Sequence, residues 1–245
     1  MRNLRAAVLW VGIGAATLVF GLPAILAAFV PPRGDWFLRF ARGWARTILF
    51  MSGVPVRVVG RERLACADSA VIVANHESFA DILVLLASLP MQVRFLAKRS
   101  VFLVPVLGWS IRAAGFVPVD RGDRRRSAAT FDAALGRLQG GRSVVIFPEE
   151  TRTRTGELLP FKKGAALLAL RSGMPLLPIG IAGTRRVLPR ESLVPTSGPV
   201  VIAIGERISA AGLEAKDRAR LTESARDAVD RLRREAALAV EAGSA

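Results

Sequence analysis

His76 and Asp81 are the residues whose types and spacing best suit acid–base chemistry. His76 is the only histidine among 245 residues, and imidazole is the side chain that most readily exchanges a proton near neutral pH. On one continuous helix, positions five apart are separated by about 140°, so we expect His76 in a loop and Asp81 in the first turn of the helix that follows. A carboxylate that folds back on one ring nitrogen leaves the other nitrogen free to take a proton.

The flanking sequence places this pair between a strand and a helix. Residues 70–74 are an apolar run of the length of a buried strand. Apolar residues then recur with helical spacing at Phe79, Ile82, Leu83 and Leu86. Asn75 or Ser78 is expected to cap the helix. A purely structural interpretation stays open, because a solvated loop histidine and an aspartate that complements the helix dipole give the same pattern.

Residues 75–81, Asn-His-Glu-Ser-Phe-Ala-Asp, resemble the His-x4-Asp motif of the glycerolipid acyltransferases, the lysophosphatidic acid acyltransferase family. Three further segments resemble the other motifs of this family in the same order: 115–121 (Gly-Phe-Val-Pro-Val-Asp-Arg), 147–153 (Phe-Pro-Glu-Glu-Thr-Arg-Thr) and 177–180 (Leu-Pro-Ile-Gly). The first motif by itself is weak evidence. Four motifs in order over residues 70–185 are strong evidence.

The resemblance implies an O-acyltransferase with His76 as general base and Asp81 as its partner. An acyl group would move from acyl-CoA or acyl-carrier protein to the sn-2 hydroxyl of lysophosphatidic acid, forming phosphatidic acid in phospholipid synthesis. The donor is a co-substrate, and neither a cofactor nor a metal is expected. The expected substrate-binding residues are Lys98, Arg121, Glu149, Thr151 and Arg152.

Arginine suits the phosphate of such an acceptor because its planar donor fork grips two oxygens. Taken singly, Arg121 or Arg152 is better explained as a surface charge, and only their positions in the matched motifs favour a role in binding. Glu149 is expected to orient the acceptor hydroxyls or to hold a neighbouring arginine.

Glu150 departs from the family pattern, which has glycine at this position. A glycine tolerates positive φ and close backbone approach, whereas glutamate constrains both and adds negative charge. The acceptor therefore stays open: another lyso-lipid, such as lyso-ornithine lipid, or glycerol 3-phosphate fits the same machinery. A non-enzymatic protein that binds membrane surfaces is the alternative from another class.

The composition indicates an anionic partner. The chain has 35 Lys and Arg against 20 Asp and Glu, and 51% of its residues are hydrophobic. It carries no nucleic-acid-binding motif and no Tyr, so an anionic membrane surface is expected and nucleic acid is not. The single cysteine, Cys66, excludes an internal disulfide.

Residues 6–30 contain no charge, and as a helix of about 37 Å they would exceed the roughly 30 Å of a bilayer core. A signal peptide is less consistent with this length. Residues 31–34 break the helix, and Asp35 is expected to cap a second, amphipathic segment whose arginines suit a lipid interface. One true span, a hairpin dipping into one leaflet and a buried core hairpin all stay open. The resemblance favours the hairpin, with the active domain on the cytoplasmic side of the cell membrane.

The rest of the chain alternates strands and helices. We predict strands at 56–60, 70–74, 93–97, 116–119, 143–147, 176–181 and 200–204, and helices at 78–88, 104–114, 127–139, 163–172 and 214–241. This pattern predicts an α/β fold, a mixed, largely parallel sheet flanked by helices, like glycerol-3-phosphate acyltransferase. We expect residues 1–50 to form the membrane-associated two-helix segment and residues 51–245 the acyltransferase domain.

Overall fold

The computed structural model describes residues 2–27, 30, 35–65, 69–119, 124–192 and 194–243. The strands are β1 (Val56–Val59), β2 (Val71–Ala74), β3 (Val93–Lys98), β4 (Val117–Val119), β5 (Ser143–Ile146), β6 (Leu176–Ala182) and β7 (Val200–Ile204). The α-helices are α1 (Arg2–Ala27), α2 (Phe37–Met51), α3 (Ala80–Ser88), α4 (Leu107–Ala113), α5 (Arg124–Gln139), α6 (Gly164–Ser172), α7 (Thr184–Val187) and α8 (Arg218–Ala242). Short 3-10 helices lie at Arg61–Leu64, Arg99–Leu103 and Ala215–Asp217.

The strands form one sheet in the order β1-β7-β6-β2-β5-β3-β4. Every neighbouring pair is parallel except β6 and β7, which are antiparallel. The predicted mixed, largely parallel sheet is therefore confirmed, and each strand ends within one residue of its predicted bounds. β2 to β6 run in the same direction, so their carboxyl ends meet at one edge, where ligand sites of α/β sheets form.

Helices cover both faces of the sheet. Alternate residues of β2 face opposite sides: Ile72 belongs to the core with α2, α3 and α4, whereas Val71 packs with α5, α6 and α8. On the second side α8 lies directly against β6, where a Cβ at Gly180 would overlap the backbone of Leu232. The helices thus hold the central strand, and with it the loop that follows β2, from both sides.

α1 exposes much of its apolar surface. Within it, Ala6–Ala27 is long and apolar enough to be a candidate membrane span, and only 17% of its most apolar window is buried. Val11, Val19 and Leu26 are exposed at 74%, 65% and 71%. An exposed apolar surface of this kind is typical of a site that contacts another protein or a membrane.

α2 is only partly exposed. Phe37, Leu38 and Ala45 on its apolar side pack into the protein core, whereas Phe50 is 86% exposed. Arg42 donates hydrogen bonds to the carbonyls of residues 89–91, and Arg46 donates to the carbonyl of Ala87. These arginines therefore supply hydrogen-bond donors to carbonyl groups at the end of α3 and just after it, because the last carbonyls of a helix lack partners within it.

The prediction that Asp35 caps α2 is wrong. The helix begins after Trp36 without a side-chain cap. The Asp35 carboxylate instead accepts hydrogen bonds from Arg94 Nη2 at 2.9 Å and from Arg142 Nε at 2.8 Å. Arg94 is fully buried, and a buried guanidinium needs such a partner. The helix break predicted at residues 31–34 lies outside the described residues.

Candidate functional site

His76 and Asp81 meet at the carboxyl end of β2. Asp81 is in the first turn of α3, and its Oδ2 lies 2.8 Å from His76 Nδ1. The same oxygen accepts the backbone N–H groups of Glu77 and Ser78 at 2.8 and 2.9 Å. Asp81 therefore fixes the loop as well as the imidazole. Among the described residues His76 Nε2 has no hydrogen-bond partner, so it is free to accept a proton.

Asn75 does not cap α3, whereas Ser78 does so in part: its Oγ accepts the N–H of Ala80, the first residue of the helix, at 3.1 Å. The helix follows Phe79, whose side chain forms no cap. Asn75 instead bridges to β6: its amide donates to the carbonyl of Ile181 at 2.9 Å and its oxygen accepts the N–H of Ile181 at 2.8 Å. The imidazole stacks on Phe147, with centroids 4.1 Å apart. These contacts hold His76 between β5 and β6, which lie on either side of β2.

Glu149 lies beneath the histidine and does not line the cavity beside it. Its Oε1 accepts the backbone N–H of His76 at 2.6 Å, and its Oε2 accepts that of Leu159 at 2.9 Å. The pKa of this carboxyl is raised because it is buried, although both backbone hydrogen bonds oppose the shift. Since both oxygens are engaged within the protein, Glu149 is placed to position the catalytic loop rather than to contact acceptor hydroxyls.

A cavity of about 780 Å³ extends from His76. One part is apolar, with Phe20 of α1, Trp44 of α2 and Leu86 of α3 among its walls. Four cations, Lys98, Arg152, Lys162 and Arg190, line the cavity together with Glu150 and Thr151; all six are exposed or half-buried, and we call this group the mouth of the cavity. An amphiphilic ligand with an anionic head and a hydrocarbon tail fits this division of surface.

Arg152 is the most constrained cation of this mouth. Its guanidinium lies over the exposed ring of Phe79, 4.0 Å from the centroid. Nη1 is buried and has no hydrogen-bond partner among the described residues. Burial and the neighbouring charge of Arg190 lower the pKa of this guanidinium. A bound anion would supply the missing acceptor and offset the repulsion between the two arginines.

Arg190 and Lys162 were not predicted as site residues. Arg190 Nη1 donates to the carbonyl of Arg152 at 2.6 Å, which joins the loop after α7 to the third motif. Both residues lie outside the four motifs, and only the fold brings them to the cavity. The prediction for Arg121 lies outside the described residues. Within the described ranges no group of three His, Cys, Asp or Glu side chains could hold a metal ion.

Glu150 has a positive φ, the backbone conformation that the glycine of the family pattern would tolerate at this position. Its φ is +58°, in the left-handed region, which costs a residue with a side chain roughly 1–2 kcal/mol. The turn is closed by the N–H of Glu150, which donates to the carbonyl of Phe147 at 3.0 Å. This turn directs Glu149 inward and brings Arg152 to the cavity.

Glu77 is a second buried carboxyl in the loop. Its side chain accepts a hydrogen bond from Asn75 at 3.3 Å. Burial, with the charges of Asp81 and Glu149, raises the pKa of Glu77 to about 7, and Arg233 opposes the shift less strongly. The folded protein therefore binds a proton here at pH values where the unfolded chain has released it.

We expect Glu77→Gln to change the pH dependence of stability. Because the pKa of Glu77 rises from 4.5 to about 7 on folding, the wild type loses stability as pH rises through this window, by up to about 3 kcal/mol. The variant lacks this loss. Its free energy of unfolding, relative to that of the wild type, is therefore expected to be higher at about pH 8 than at about pH 4. Urea unfolding in detergent at the two pH values measures both free energies. Parallel pH profiles for the two proteins would show that the pKa of Glu77 does not change on folding.

Comparison with known proteins assigns the family. The model of a family described as Acyltransferase matches residues 55–182, just over half of the chain. A chloroplastic 1-acyl-sn-glycerol-3-phosphate acyltransferase of Arabidopsis thaliana is 36% identical over 176 residues, 71% of this chain and 49% of the plant protein. A 1-acyl-sn-glycerol-3-phosphate acyltransferase of Saccharomyces cerevisiae is 34% identical over 190 residues, 76% of this chain and 62% of the yeast protein. The chain thus spans about half to three fifths of these relatives.

A solved structure extends the likeness to the whole fold. The crystal structure of the 1-acyl-sn-glycerophosphate acyltransferase PlsC from Thermotoga maritima matches with a TM-score of 0.77 and 25% identity. The match covers 95% of this chain and 98% of that chain. It includes the sheet whose carboxyl edge carries His76 and Asp81. The chain belongs to the Acyltransferase family.

Proposed function

We propose that this protein is a 1-acylglycerol-3-phosphate O-acyltransferase, which converts lysophosphatidic acid to phosphatidic acid in phospholipid synthesis. One observation carries the proposal: a single large cavity is lined by His76, whose Nδ1 pairs with Asp81, by four cations and by apolar side chains. The names of the Arabidopsis, yeast and Thermotoga relatives support the same acceptor. The acyl donor is acyl-CoA or acyl-carrier protein, and no cofactor takes part.

In the proposed reaction His76 Nε2 takes the proton of the sn-2 hydroxyl. The Asp81 carboxylate, 2.8 Å from Nδ1, stabilises the imidazolium that forms. The hydroxyl oxygen attacks the thioester carbonyl, an ester bond forms, and the carbon–sulfur bond breaks. The leaving thiolate takes the proton back from His76. No nucleophile of the protein is needed.

Arg152 and Lys98 are proposed to bind the acceptor phosphate at the mouth, with Thr151 beside them and Arg121 as a further cation from the second motif. The buried, unpartnered Nη1 of Arg152 supports this role most directly. The apolar walls formed by α1, α2 and α3 are proposed to hold hydrocarbon chains. Hydrogen bonds between arginine and an anionic group are stronger than neutral ones, so the phosphate would contribute much of the binding energy.

The exposed apolar surface of α1 supports a place at the cell membrane. We propose that α1 enters an anionic membrane, as one arm of the hairpin formed with α2, and that the active domain faces the cytoplasm. A lyso-phospholipid acceptor could then pass to the cavity from the same bilayer, because α1 also lines the cavity.

The test is thioester consumption by the purified protein with 1-acylglycerol 3-phosphate, with 1-acylglycerol, which lacks the phosphate, and with no acceptor. We expect consumption that depends on the acceptor and is fastest with 1-acylglycerol 3-phosphate. Liposome binding without thioester consumption would overturn the proposal and favour a non-enzymatic membrane protein.

We expect Arg152→Ala to lower kcat/KM for 1-acylglycerol 3-phosphate by about 10- to 100-fold, the value of a lost hydrogen bond to a charged group. Turnover of 1-acylglycerol should change little, because this acceptor has no phosphate to bind. Arg61→Ala serves as a matched control, since Arg61 is exposed and does not line the cavity. An equal loss with both acceptors would contradict the phosphate role.

A further inference from the structure

Glu150 is the only carboxylate among the described residues that line the cavity, and the proposed reaction does not use it. We propose that Glu150 adapts the site to a further reaction, the acylation of lyso-phospholipids whose phosphate is a diester with a terminal ammonium or hydroxyl group. This inference rests on the acyl transfer proposed above and adds a second class of acceptor to it.

The backbone of Glu150 indicates that its side chain has a role. Among the described residues only Val106 and Glu150 combine a side chain with positive φ. Glycine would form the same turn at residues 147–150 without strain. Residues held in strained backbone conformations cluster at active sites and ligand sites, and a glutamate here brings a carboxylate to the mouth.

The carboxylate is available to a ligand. Glu150 is exposed and lines the same cavity as His76, two positions before Arg152 in the chain. Within the described part of the protein its side chain forms no hydrogen bond or ion pair, although Lys98, Arg152, Lys162 and Arg190 line the same mouth. In this respect it differs from Glu149, whose two oxygens are both engaged.

The charges at the mouth distinguish two kinds of acceptor. A phosphomonoester carries a charge of about −1.5 to −2 at neutral pH, and a carboxylate beside it opposes the second charge. A phosphodiester carries a single negative charge, so it loses less to this repulsion. If its second alcohol ends in an ammonium or hydroxyl group, Glu150 can accept a hydrogen bond from that group while the cations hold the phosphate. The specificity then arises from the hydrogen bond that Glu150 accepts from a diester together with the repulsion between Glu150 and a phosphomonoester.

The reaction itself is unchanged. His76 takes the sn-2 proton, the new ester bond forms as the carbon–sulfur bond of the thioester breaks, and the thiolate recovers the proton. No other reactant is required. Only the group beyond the phosphate, which lies away from the reacting hydroxyl, distinguishes the two classes of acceptor.

The experiment compares three acceptors with the same acyl chain in the same detergent. They are 1-acylglycerol 3-phosphate, 1-acylglycerophosphoethanolamine and 1-acylglycerophosphomethanol, whose methyl group cannot donate a hydrogen bond. We expect the wild type to use the ethanolamine ester about fivefold better than the methanol ester, the value of one ion pair at a solvent-accessible site. Glu150→Gln should remove most of this preference and raise kcat/KM for the phosphomonoester about fivefold.

Glu150→Gly separates the charge from the strain. It should give the same acceptor ratios as the glutamine variant. It should also unfold at a higher temperature than the wild type and the glutamine variant, because glycine adopts a positive φ without strain. If both variants acylate 1-acylglycerol 3-phosphate with the wild-type acceptor ratios, the inference about Glu150 is wrong and the proposed function stands. If the wild type acylates none of the three acceptors, both are wrong.

Discussion

Replacement of His76 by alanine is expected to lower kcat for acyl transfer by roughly 10²- to 10⁴-fold, the usual contribution of a general base. His76 is the only imidazole of the chain, and Nδ1 is committed to Asp81. Within the described part of the chain, the other charged side chains that line the cavity are lysines, arginines and Glu150, and the sequence holds no second imidazole to replace His76. The measurement is single-turnover acyl transfer to 1-acylglycerol 3-phosphate.

A second variant shows that such a loss is chemical and not structural. Asparagine at position 76 can donate a hydrogen bond from its amide towards Asp81, as Nδ1 does, but it offers no base in place of Nε2. We therefore expect His76→Asn to be as inactive as His76→Ala while its unfolding midpoint stays closer to that of the wild type. Turnover within tenfold of the wild type in either variant would refute the role of His76.

The fold was largely predictable because the central strands β2, β6 and β7 are buried on both faces. β2 is fully buried along its length, and a short apolar run between polar turns predicts such a strand. Helix bounds were less predictable: α4 begins three residues later than predicted, after the strained Val106 with φ +61°. A valine in this conformation cannot be foreseen from local propensity, because β-branched residues rarely adopt positive φ.

The site was predictable only where its residues lie within motifs. The contact between His76 and Asp81 is local, so their spacing predicts it. Arg190 reaches the cavity through the fold of residues 153–190, and no local pattern marks it among the other arginines. Glu149 shows a different limit, because the residue was expected in the site but its contact is with backbone N–H groups. A motif identifies a residue that matters, and only the structure shows what it touches.

The arginines show why charge patterns mislead. Arg42 and Arg46 have the spacing of a basic helix face at a lipid surface, yet they bind the carbonyls that end α3. Arg94 pairs with Asp35 from a distant part of the chain. Positive charge along an amphipathic helix therefore predicts a polar partner, but not whether that partner is lipid or protein.

Asp81→Asn should lower kcat by roughly 10²- to 10³-fold, the effect of removing the charged partner of a buried ion pair. The asparagine oxygen can still accept the N–H groups of Glu77 and Ser78, which Asp81 Oδ2 accepts in the wild type. The loop is thereby kept while the negative charge beside the imidazolium is lost. Single-turnover rates and the unfolding midpoint of the same preparation measure both effects.

The double variant His76→Ala/Asp81→Asn decides how Asp81 acts. If the carboxylate serves catalysis only through the imidazole, Asp81→Asn should cost less than about twofold once His76 is absent, because the two residues act as a unit. If Asp81→Asn costs the same factor in both backgrounds, Asp81 acts by shaping the loop through its backbone hydrogen bonds. That outcome would contradict the proposed stabilisation of the imidazolium, and it would leave His76 as a base that works without its carboxylate partner.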